Sequence, residues 1–430
     1  MVLSASLSIV SGPVPVVVTV LGVIGFLWLI FYPSVRYLLI VVPVSIAVAV
    51  GGTLLAHYLV EDVLRPFPEA IETGVYISSC VAALALILGV ARFVAGHGWL
   101  QKLITVLAGL FAVLMALSQI NVTFAYYPTV DALLGHSGAR SVTLEELDDD
   151  SLIVVPIDKW RAPQNIPSGG RILTAPIPGT KSGFTARPAK MYLPPAALTS
   201  PTPRLPVLLL LAGQPGAPDD WLLGGQLVAT MDAYAAEHNG LSPIVVVADG
   251  TGSTMANPIC VDSKPGNVAT YLSQDVPDWV AANLKLANTD SRSWAVGGLS
   301  YGGTCALQLA TNYPDVYPTF LNLSGQIEPS LGSRQQTIDT AFDGDEAAFK
   351  AVNPMDLMVT RQYPDTAGAF VVGRDDAMYR AGLKEVFEAA RRAGMDVHFS
   401  EVPGGHSFAV WSVGLRQEMP WLGKRLGIPE

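Results

Sequence analysis

Ser300 lies in the segment GGLSYGG, where residues 298–302 match the pattern G-x-S-x-G. The apolar segment SWAV precedes this motif, and YGGTCALQLA, which has the apolar spacing of a helix, follows it. A serine on a sharp turn between a strand and a helix is the arrangement of a nucleophile elbow. Glycines are expected around it because the serine backbone is strained and neighbouring chain passes close by. The segment therefore predicts a nucleophilic Ser300; the alternative is a glycine-rich turn without chemistry.

A nucleophilic serine needs a general base to accept its proton. His406 lies in the segment GGHSF, directly after a predicted terminal strand, MDVHFSEVP, so its imidazole can reach across the edge of a sheet. Of the other five histidines, two lie in the apolar N-terminal part, His57 and His97, and His136 follows it. His238 lies at a predicted helix end, and His398 lies inside the predicted terminal strand. We predict His406 as the base; an ordinary loop histidine is the alternative.

The acid is expected in the segment GRDDAM, which follows the apolar run GAFVVG and precedes a predicted helix. A carboxylate there would hold one tautomer of the imidazole and stabilise the imidazolium. The order serine, acid, histidine along the chain is that of the α/β-hydrolases. Asp376 lies three residues after Gly373, a spacing typical of this class of fold, and is the predicted acid; Asp375 is the open alternative.

An oxyanion hole needs two preorganised N–H donors. The backbone N–H of Tyr301, directly after the serine, is one predicted donor. The second is expected from the segment GQPGAPDDW, which follows the apolar run LPVLLLLAG. Pro215 has no N–H, so Gln214 is the predicted donor. A plain turn after a strand is the alternative.

The segments around these residues alternate between strand and helix patterns. Continuous apolar runs such as RLPVLLLLAG, SPIVVVADG and GAFVVG are typical of strands buried on both faces of a parallel sheet. GRILTAPIPG and ARPAKMYLPP have the pattern of two strands joined by a turn. Helical periodicity occurs at residues 221–237, 270–286, 301–312, 346–359 and 378–393. We therefore predict an α/β-hydrolase fold, a mostly parallel sheet flanked by helices.

The first 126 residues differ in composition and hold only four basic and four acidic residues. Four apolar stretches, near residues 14–32, 37–60, 75–95 and 103–122, approach or exceed the ~20 residues with which a helix crosses a bilayer. Arg36, Arg92 and Lys102 flank the loops after the first and third stretches, and basic residues favour the cytoplasmic side. We predict a four-span membrane anchor with both ends outside. No ionisable residue lies near a predicted span centre, which disfavours transport.

We divide the chain into a transmembrane anchor at 1–126, a linker at 127–168 and a catalytic domain at 169–430. The linker contains the acidic run TLEELDDDS at 143–151, the pattern of a solvated linker or of the exposed face of a short helix. All of the formal net charge of −10 lies after residue 126. This acidic balance disfavours a nucleic-acid partner, which calls for a basic surface.

The three cysteines, Cys80, Cys260 and Cys305, form neither a zinc pattern nor a disulfide framework. Cys260 and Cys305 either pair, because the predicted compartment is oxidising, or remain two buried thiols. No metal or organic cofactor is expected.

These segments are similar to the esterase branch of the α/β-hydrolases that contains esterase D, feruloyl-esterase-like enzymes and the secreted mycolyltransferases of mycolic-acid bacteria. The resemblance covers about residues 170 to 425 and rests on LLLLAGQPGAPDDW, VVVADG, GGLSYGG, VGRDD and VPGGHSF. It implies ester chemistry through a serine–acid–histidine triad, matched by Ser300, Asp376 and His406. The secreted mycolyltransferases differ from this chain in having no four-span anchor and a glutamate as the acid.

The expected function is that of a membrane-anchored serine esterase with its catalytic domain outside the cytoplasmic membrane, acting on an ester or lipid substrate. One alternative is an acyltransferase that moves the acyl group to a cell-envelope sugar through the same intermediate. Another is a hydrolase-fold protein that binds a ligand without catalysis. The acyl chain, the acceptor and the oligomeric state stay open.

Overall fold

The structure is a computed structural model that describes residues 7–67, 69–136, 138–146 and 152–429. It comprises two units, Met1–Leu134 and Gly135–Glu430. Of the acidic run at 143–151, residues 147–151 lie outside the described residues.

The N-terminal unit contains four helices that are long and apolar enough to cross a membrane: Pro13–Ile30, Tyr37–Leu64, Thr73–Ala95 and Trp99–Phe124. In the second, an α-helix is flanked by π-helical segments at Tyr37–Val41 and Leu59–Leu64. The α-helices of this unit are α1 (Pro13–Ile30), α2 (Val42–Tyr58), α3 (Thr73–Ala95), α4 (Trp99–Phe124) and the short α5 (Val130–Leu133). Each long helix coincides with one predicted apolar stretch, so the prediction of four apolar N-terminal helices is confirmed.

Helices α1 and α4 pack closely because small residues line their contact. A Cβ atom on Gly25 would lie 2.5 Å from the carbonyl oxygen of Ala108, and one on Gly22 would lie 2.3 Å from the Cβ atom of Met115. Small residues allow such approach between apolar helices. Many of the Val, Leu and Ile side chains of α1 to α4 are exposed, which leaves the unit with an apolar outer surface.

The second unit is built around a sheet. The strands of this unit are β1 (Arg140–Val142), β2 (Val154–Val155), β3 (Arg171–Ala175), β4 (Ala189–Leu193), β5 (Thr202–Pro203), β6 (Val207–Leu211), β7 (Ile244–Ala248), β8 (Asp262–Ser263), β9 (Gly266–Asn267), β10 (Trp294–Leu299), β11 (Thr319–Leu323), β12 (Ala367–Gly373) and β13 (Asp396–Val402). Nine of them form one sheet in the order β1-β3-β4-β7-β6-β10-β11-β12-β13, while β2 pairs with β5 and β8 with β9.

Most of the large sheet is parallel. Strand β4 is antiparallel to both of its neighbours, β3 and β7, and the other described pairings of the sheet are parallel. The predicted α/β-hydrolase architecture is confirmed. Within the segment 127–168, which we expected to be a linker, Arg140–Val142 forms the edge strand β1 and pairs with β3.

Helices connect the strands and flank the sheet. They are α6 (Asp219–Leu222), α7 (Leu227–Glu237), α8 (Val268–Thr270), α9 (Val276–Asn283), α10 (Tyr301–Asn312), α11 (Arg334–Phe342), α12 (Glu346–Lys350), α13 (Pro354–Thr360), α14 (Arg380–Arg392) and α15 (Phe408–Arg425). A π-helical segment, Tyr271–Asp275, joins α8 to α9, and short 3-10 helices occur at Pro195–Leu198 and Ser291–Ser293.

Two helices predicted as continuous are each interrupted, so those predictions are wrong. The helix expected at 221–237 breaks at residues 223–226, where Gln226 has a positive φ of 49°. The helix expected at 346–359 breaks before Pro354, because a proline disfavours helical backbone in the residue before it. Asn353 is accordingly extended, with φ −74° and ψ 123°.

The central strands β6, β7, β10, β11 and β12 are buried along their whole length. Their register aligns their carboxyl ends: Leu211 pairs with both Ala248 and Gly298, and Leu323 pairs with both Leu299 and Val371. The loops after these strands therefore meet at one edge of the sheet, where sites in open α/β sheets form.

Candidate active site

Ser300 occupies the single position between β10, which ends at Leu299, and α10, which begins at Tyr301. Its backbone has φ 52° and ψ −119°, an unusual conformation for a residue with a side chain. The N–H of Ser300 donates to the carbonyl of Leu323 (2.8 Å), and its own carbonyl accepts from the N–H of Thr304 (3.0 Å). This local geometry is that of a nucleophile elbow.

Positions 298 and 302 require glycine because other backbone atoms lie too close for a side chain. A Cβ atom on Gly298 would lie 2.3 Å from the carbonyl carbon of Gly302. A Cβ atom on Gly302 would lie 2.3 Å from the carbonyl oxygen of Leu211 at the end of β6. Side chains at these two positions would push the first turn of α10 away from the sheet.

The structure brings together the three residues predicted as the triad. The Ser300 hydroxyl lies 3.0 Å from Nε2 of His406, and Nδ1 of His406 lies 2.9 Å from Oδ2 of Asp376. With the proton on Nδ1, the imidazole donates to the carboxylate and its Nε2 can accept from the hydroxyl. The Asp376 side chain is 1% exposed and that of His406 is 19% exposed. Of the two, only the imidazole of His406 is accessible to solvent.

Asp375, the alternative acid, lies elsewhere. It is exposed, and its backbone N–H donates to the carbonyl of Gly404 (2.9 Å). His398, which lies within β13, pairs with Glu418 (2.7 Å) and not with a serine hydroxyl. Ser400 donates to that same glutamate (2.9 Å), so this second group of serine, histidine and acid lacks the order of a triad.

Two aromatic residues that no sequence motif indicated contact the imidazole of His406. The ring of Tyr379 stacks on it, with ring centres 4.1 Å apart and planes 15° apart. The ring of Trp411 meets it nearly at a right angle, with centres 4.8 Å apart. The backbone N–H of Tyr379 also donates to Oδ1 of Asp376 (3.0 Å). Tyr379 therefore orients both the acid and the base. The only sequence feature that could have indicated this role is its position three residues after Asp376.

The predicted oxyanion donors lie on the two segments that border Ser300. The N–H of Tyr301 is at the first position of α10, where no acceptor exists within the same helix. Gly213 lies beside the nucleophile, since a Cβ atom on it would be 3.6 Å from the Cβ atom of Ser300. Gln214 follows it directly, and its side chain donates from Nε2 to the carbonyl of Met255 (3.0 Å).

A buried ion pair close to this loop was also missed. Asp249, directly after β7, is 1% exposed at its side chain and forms a two-point contact with the guanidinium of Arg187 (2.7 and 2.9 Å). Burial opposes ionisation of Asp249, but hydrogen bonds from Arg187 and from the N–H of Thr251 outweigh it and hold the pKa of the carboxyl below its ordinary value.

Cys260 and Cys305, whose state the sequence left open, form a disulfide with Cα atoms 5.4 Å apart. The bond joins the loop after β7 to α10, the helix that begins at the nucleophile. Among the residues that the structure describes, no group of three or more His, Cys, Asp or Glu side chains is arranged to hold a metal ion.

The fold is that of the α/β-hydrolases, with an elbow serine at the carboxyl edge of the sheet. The chain belongs to the putative esterase family, whose model matches residues 185–422. An uncharacterized protein of Corynebacterium glutamicum is 39% identical over 395 residues, covering 90% of this chain and 89% of that protein. A diacylglycerol acyltransferase/mycolyltransferase of Mycobacterium leprae is 37% identical over 100 residues, 22% of this chain and 29% of the relative.

A solved ferulic acid esterase superposes with a TM-score of 0.52 at 18% identity, covering 60% of this chain and 99% of that structure. This likeness shows the shared fold. Together, the comparisons confirm the predicted resemblance to the esterase branch of the α/β-hydrolases and the predicted enzyme class, a serine hydrolase or acyltransferase.

Proposed function

We propose that the protein is a membrane-anchored serine esterase that hydrolyses carboxylic esters through an acyl-enzyme on Ser300. The observation that carries this proposal is the hydrogen-bonded series from Asp376 to His406 to Ser300, with distances of 2.9 and 3.0 Å. A serine hydroxyl that can pass its proton to an oriented imidazole is an activated nucleophile. Membership of the putative esterase family supports the same chemistry.

In the first half of the reaction, Nε2 of His406 accepts the hydroxyl proton while Oγ of Ser300 attacks the ester carbonyl carbon. The N–H groups of Tyr301 and Gln214 donate to the tetrahedral oxyanion. The intermediate then collapses, the bond between the carbonyl carbon and the alcohol oxygen breaks, and the imidazolium gives its proton to the leaving alcohol. Asp376 holds the tautomer and stabilises the imidazolium.

In the second half, His406 takes a proton from a water molecule that attacks the acyl-enzyme. The acid leaves and the proton returns to Ser300. Transfer of the acyl group to an alcohol is a second candidate, favoured by the 37% identity to a relative named as an acyltransferase/mycolyltransferase. In that case the hydroxyl of an acceptor, for example a cell-envelope sugar, replaces the water, and the product is a new ester.

We also propose that residues 1–126 anchor the protein in the cytoplasmic membrane, with the catalytic domain, 169–430, outside. The disulfide between Cys260 and Cys305 supports an oxidising compartment. In the anchor, Arg92 is buried at the end of α3, where it donates to the carbonyl of Phe31 (2.7 Å) and lies over the ring of Trp28. These contacts give Arg92 a structural role and favour an anchor over a transporter.

Labelling with a fluorophosphonate probe tests the catalytic proposal. We expect the probe to attach to Ser300 in the wild-type protein, and Ser300→Ala and His406→Ala to abolish both labelling and ester hydrolysis. His398→Ala is the matched control, because His398 also bonds a carboxylate but no serine, and it should keep both. A well-folded wild-type protein that neither reacts with the probe nor cleaves esters would contradict the proposal and favour a binding protein without activity.

Titration with sugar acceptors separates hydrolysis from transfer. Hydrolysis predicts that the free acid stays the product as sugar or glycerol is added. Transfer predicts that the yield of free acid falls and a new ester appears in proportion to acceptor. For orientation, alkaline phosphatase fused after residue 430 should be active, and an inactive, stably expressed fusion would place the catalytic domain inside.

A further inference from the structure

The ion pair of Arg187 and Asp249 arises from the pairing of two strands. Strand β4 is antiparallel to β7, with Lys190 opposite Val247. This pairing brings Arg187, two residues before β4, beside Asp249, the residue directly after β7. The backbone N–H of Arg187 donates to Oδ2 of Asp249 at 2.7 Å. Oδ1 of the same carboxylate accepts from the N–H groups of Thr251 and Gly252. Asp249 is thus saturated and holds the guanidinium in one orientation.

The other donors of this guanidinium reach two loops. Nη1 lies 3.2 Å from Oγ1 of Thr254, and Nη2 lies 2.8 Å from Oγ1 of Thr251. Nη2 also donates to the carbonyl oxygen of Gly216 at 3.0 Å. Gly216 belongs to the loop 212–218, which follows β6 and contains Gln214. Arg187 therefore joins the loop after β7 to the loop that borders the nucleophile.

Other hydrogen bonds also hold the loop 212–218. Near its end, the N–H of Ala217 donates to Oδ2 of Asp220 (2.9 Å). The N–H of Gly216 donates to the carbonyl of Thr254 (3.0 Å), and the Gln214 side chain donates to the carbonyl of Met255 (3.0 Å). Both acceptors are on the loop 249–255, which Arg187 also contacts at Thr251 and Thr254. Through these bonds the guanidinium links the segment around Gln214 to the loop 249–255.

We propose that Arg187 is a positioning residue for the oxyanion hole: its guanidinium holds the loop 212–218 so that the Gln214 N–H points at the developing oxyanion. This inference rests on the proposed function of Ser300. An arginine is required because its planar fork presents several donors in fixed directions, whereas a lysine offers one compact charge. Lysine can keep an ion pair with Asp249 but cannot also reach Gly216.

Kinetics of Arg187→Lys and Arg187→Ala on a p-nitrophenyl ester test the inference. Losing one oxyanion donor costs about 10²- to 10³-fold in kcat, and a displaced donor retains part of that effect. We expect kcat to fall roughly 10- to 100-fold for Arg187→Lys and further for Arg187→Ala, with KM within about threefold of wild type. The affinity for a trifluoromethyl ketone, whose adduct with Ser300 carries an oxyanion, should fall by the same factor as kcat/KM.

Added guanidinium chloride at millimolar concentration should partly restore kcat in Arg187→Ala, and sodium chloride at equal ionic strength should not. Arg425→Lys is the matched control: Arg425 donates to Thr319 Oγ1 and to the carbonyl of Asp365 near the amino ends of the strands, and its replacement should leave kcat unchanged. Thermal unfolding of each variant reports whether the fold is intact. Arg187→Lys, which keeps the charge beside Asp249, serves if Arg187→Ala does not fold.

Folded Arg187 variants that keep more than half of the wild-type kcat would overturn the inference, as would an increase in KM with unchanged kcat, which would indicate substrate binding. A rise in the ketone dissociation constant without a fall in kcat would also refute it. These outcomes leave the proposed function standing, provided that wild-type Ser300 is labelled and active. Failure of the wild-type protein to hydrolyse esters would instead refute the proposed function.

Discussion

Replacement of Asp376 by Asn is the sharpest test of the triad geometry. In the native site, Oδ1 of Asp376 accepts from the N–H of Tyr379 and Oδ2 accepts from Nδ1 of His406. An asparagine has one acceptor and one donor at these two positions. Because Tyr379 offers only a backbone N–H, the asparagine oxygen will face Tyr379 and its NH₂ group will face the imidazole. His406 must then accept at Nδ1, which places its proton on Nε2 and removes the base.

The size of the effect follows from two free-energy penalties, which add. Flipping the amide restores the tautomer but sets two donors against each other at Tyr379, which costs about 1–3 kcal/mol in a buried site. The imidazolium also loses a charge-assisted hydrogen bond, worth about 1.5–3 kcal/mol. The sum, roughly 3 to 6 kcal/mol, corresponds to a fall of about 10²- to 10⁴-fold in kcat/KM at 1.36 kcal/mol per decade.

The assay compares kcat/KM of Asp376→Asn and Asp375→Asn on an activated ester. Asp375 is exposed, so its variant should match the wild type, while thermal unfolding of both should show folded protein. Folded Asp376→Asn with more than one tenth of wild-type kcat/KM, or a large loss in Asp375→Asn alone, would refute the assignment of the acid.

Three further predictions concern residues around the site and the sheet edge. Tyr379→Leu should lower kcat/KM roughly 3- to 10-fold because the ring stacked on His406 is lost. Tyr379→Phe keeps the ring and should match the wild type; equal kcat/KM for the Leu and Phe variants would argue against a role of the stacking. The double replacement of Cys260 and Cys305 by Ser should lower the free energy of unfolding by about 4 kcal/mol, from a separation of 45 residues, measured by denaturation; an unchanged midpoint would contradict it. The hydrogen bond that His398 donates to the carboxylate of Glu418 raises the pKa of the imidazole above its ordinary value. The negative charges of Glu418 and Asp396 add to this increase, and partial burial opposes it. This bond therefore stabilises the fold fully below pH ~6.5 and less as the pH rises through the raised pKa. The wild-type unfolding temperature should carry this decline between about pH 6 and 8, and in His398→Gln the decline should be smaller.

Much of the site was predictable because it is encoded locally. Glycines at 298 and 302 mark a turn whose backbone admits no Cβ atom. The short apolar run before Ser300 and the helical spacing of apolar residues after it mark a strand followed by a helix. The order along the chain then led to His406. Pro354 was also a local signal, and applying the rule for the residue before proline would have divided the helix expected at 346–359.

The spacing after Gly373 favoured Asp376 as the acid, but the sequence left Asp375 open as the alternative. The two residues are adjacent and chemically identical, and only the packing of the segment after β12 buries one beside the imidazole and exposes the other. The stacking of Tyr379 on His406 likewise depends on how two loops from different strands meet. No period or motif describes such a meeting.

The sequence by itself determined the class of this protein: four apolar helices, then alternating strands and helices with an elbow serine, because backbone sterics and hydrophobic periodicity act over a few neighbouring residues. The tertiary structure decided which distant residues contact one another. It placed Arg187 on Asp249, Cys260 on Cys305 and His406 on Ser300, 106 positions away, because these contacts depend on strand order and register across the sheet. Contacts between distant segments are set by the closing of long loops around a common core, and that information is spread over the whole chain.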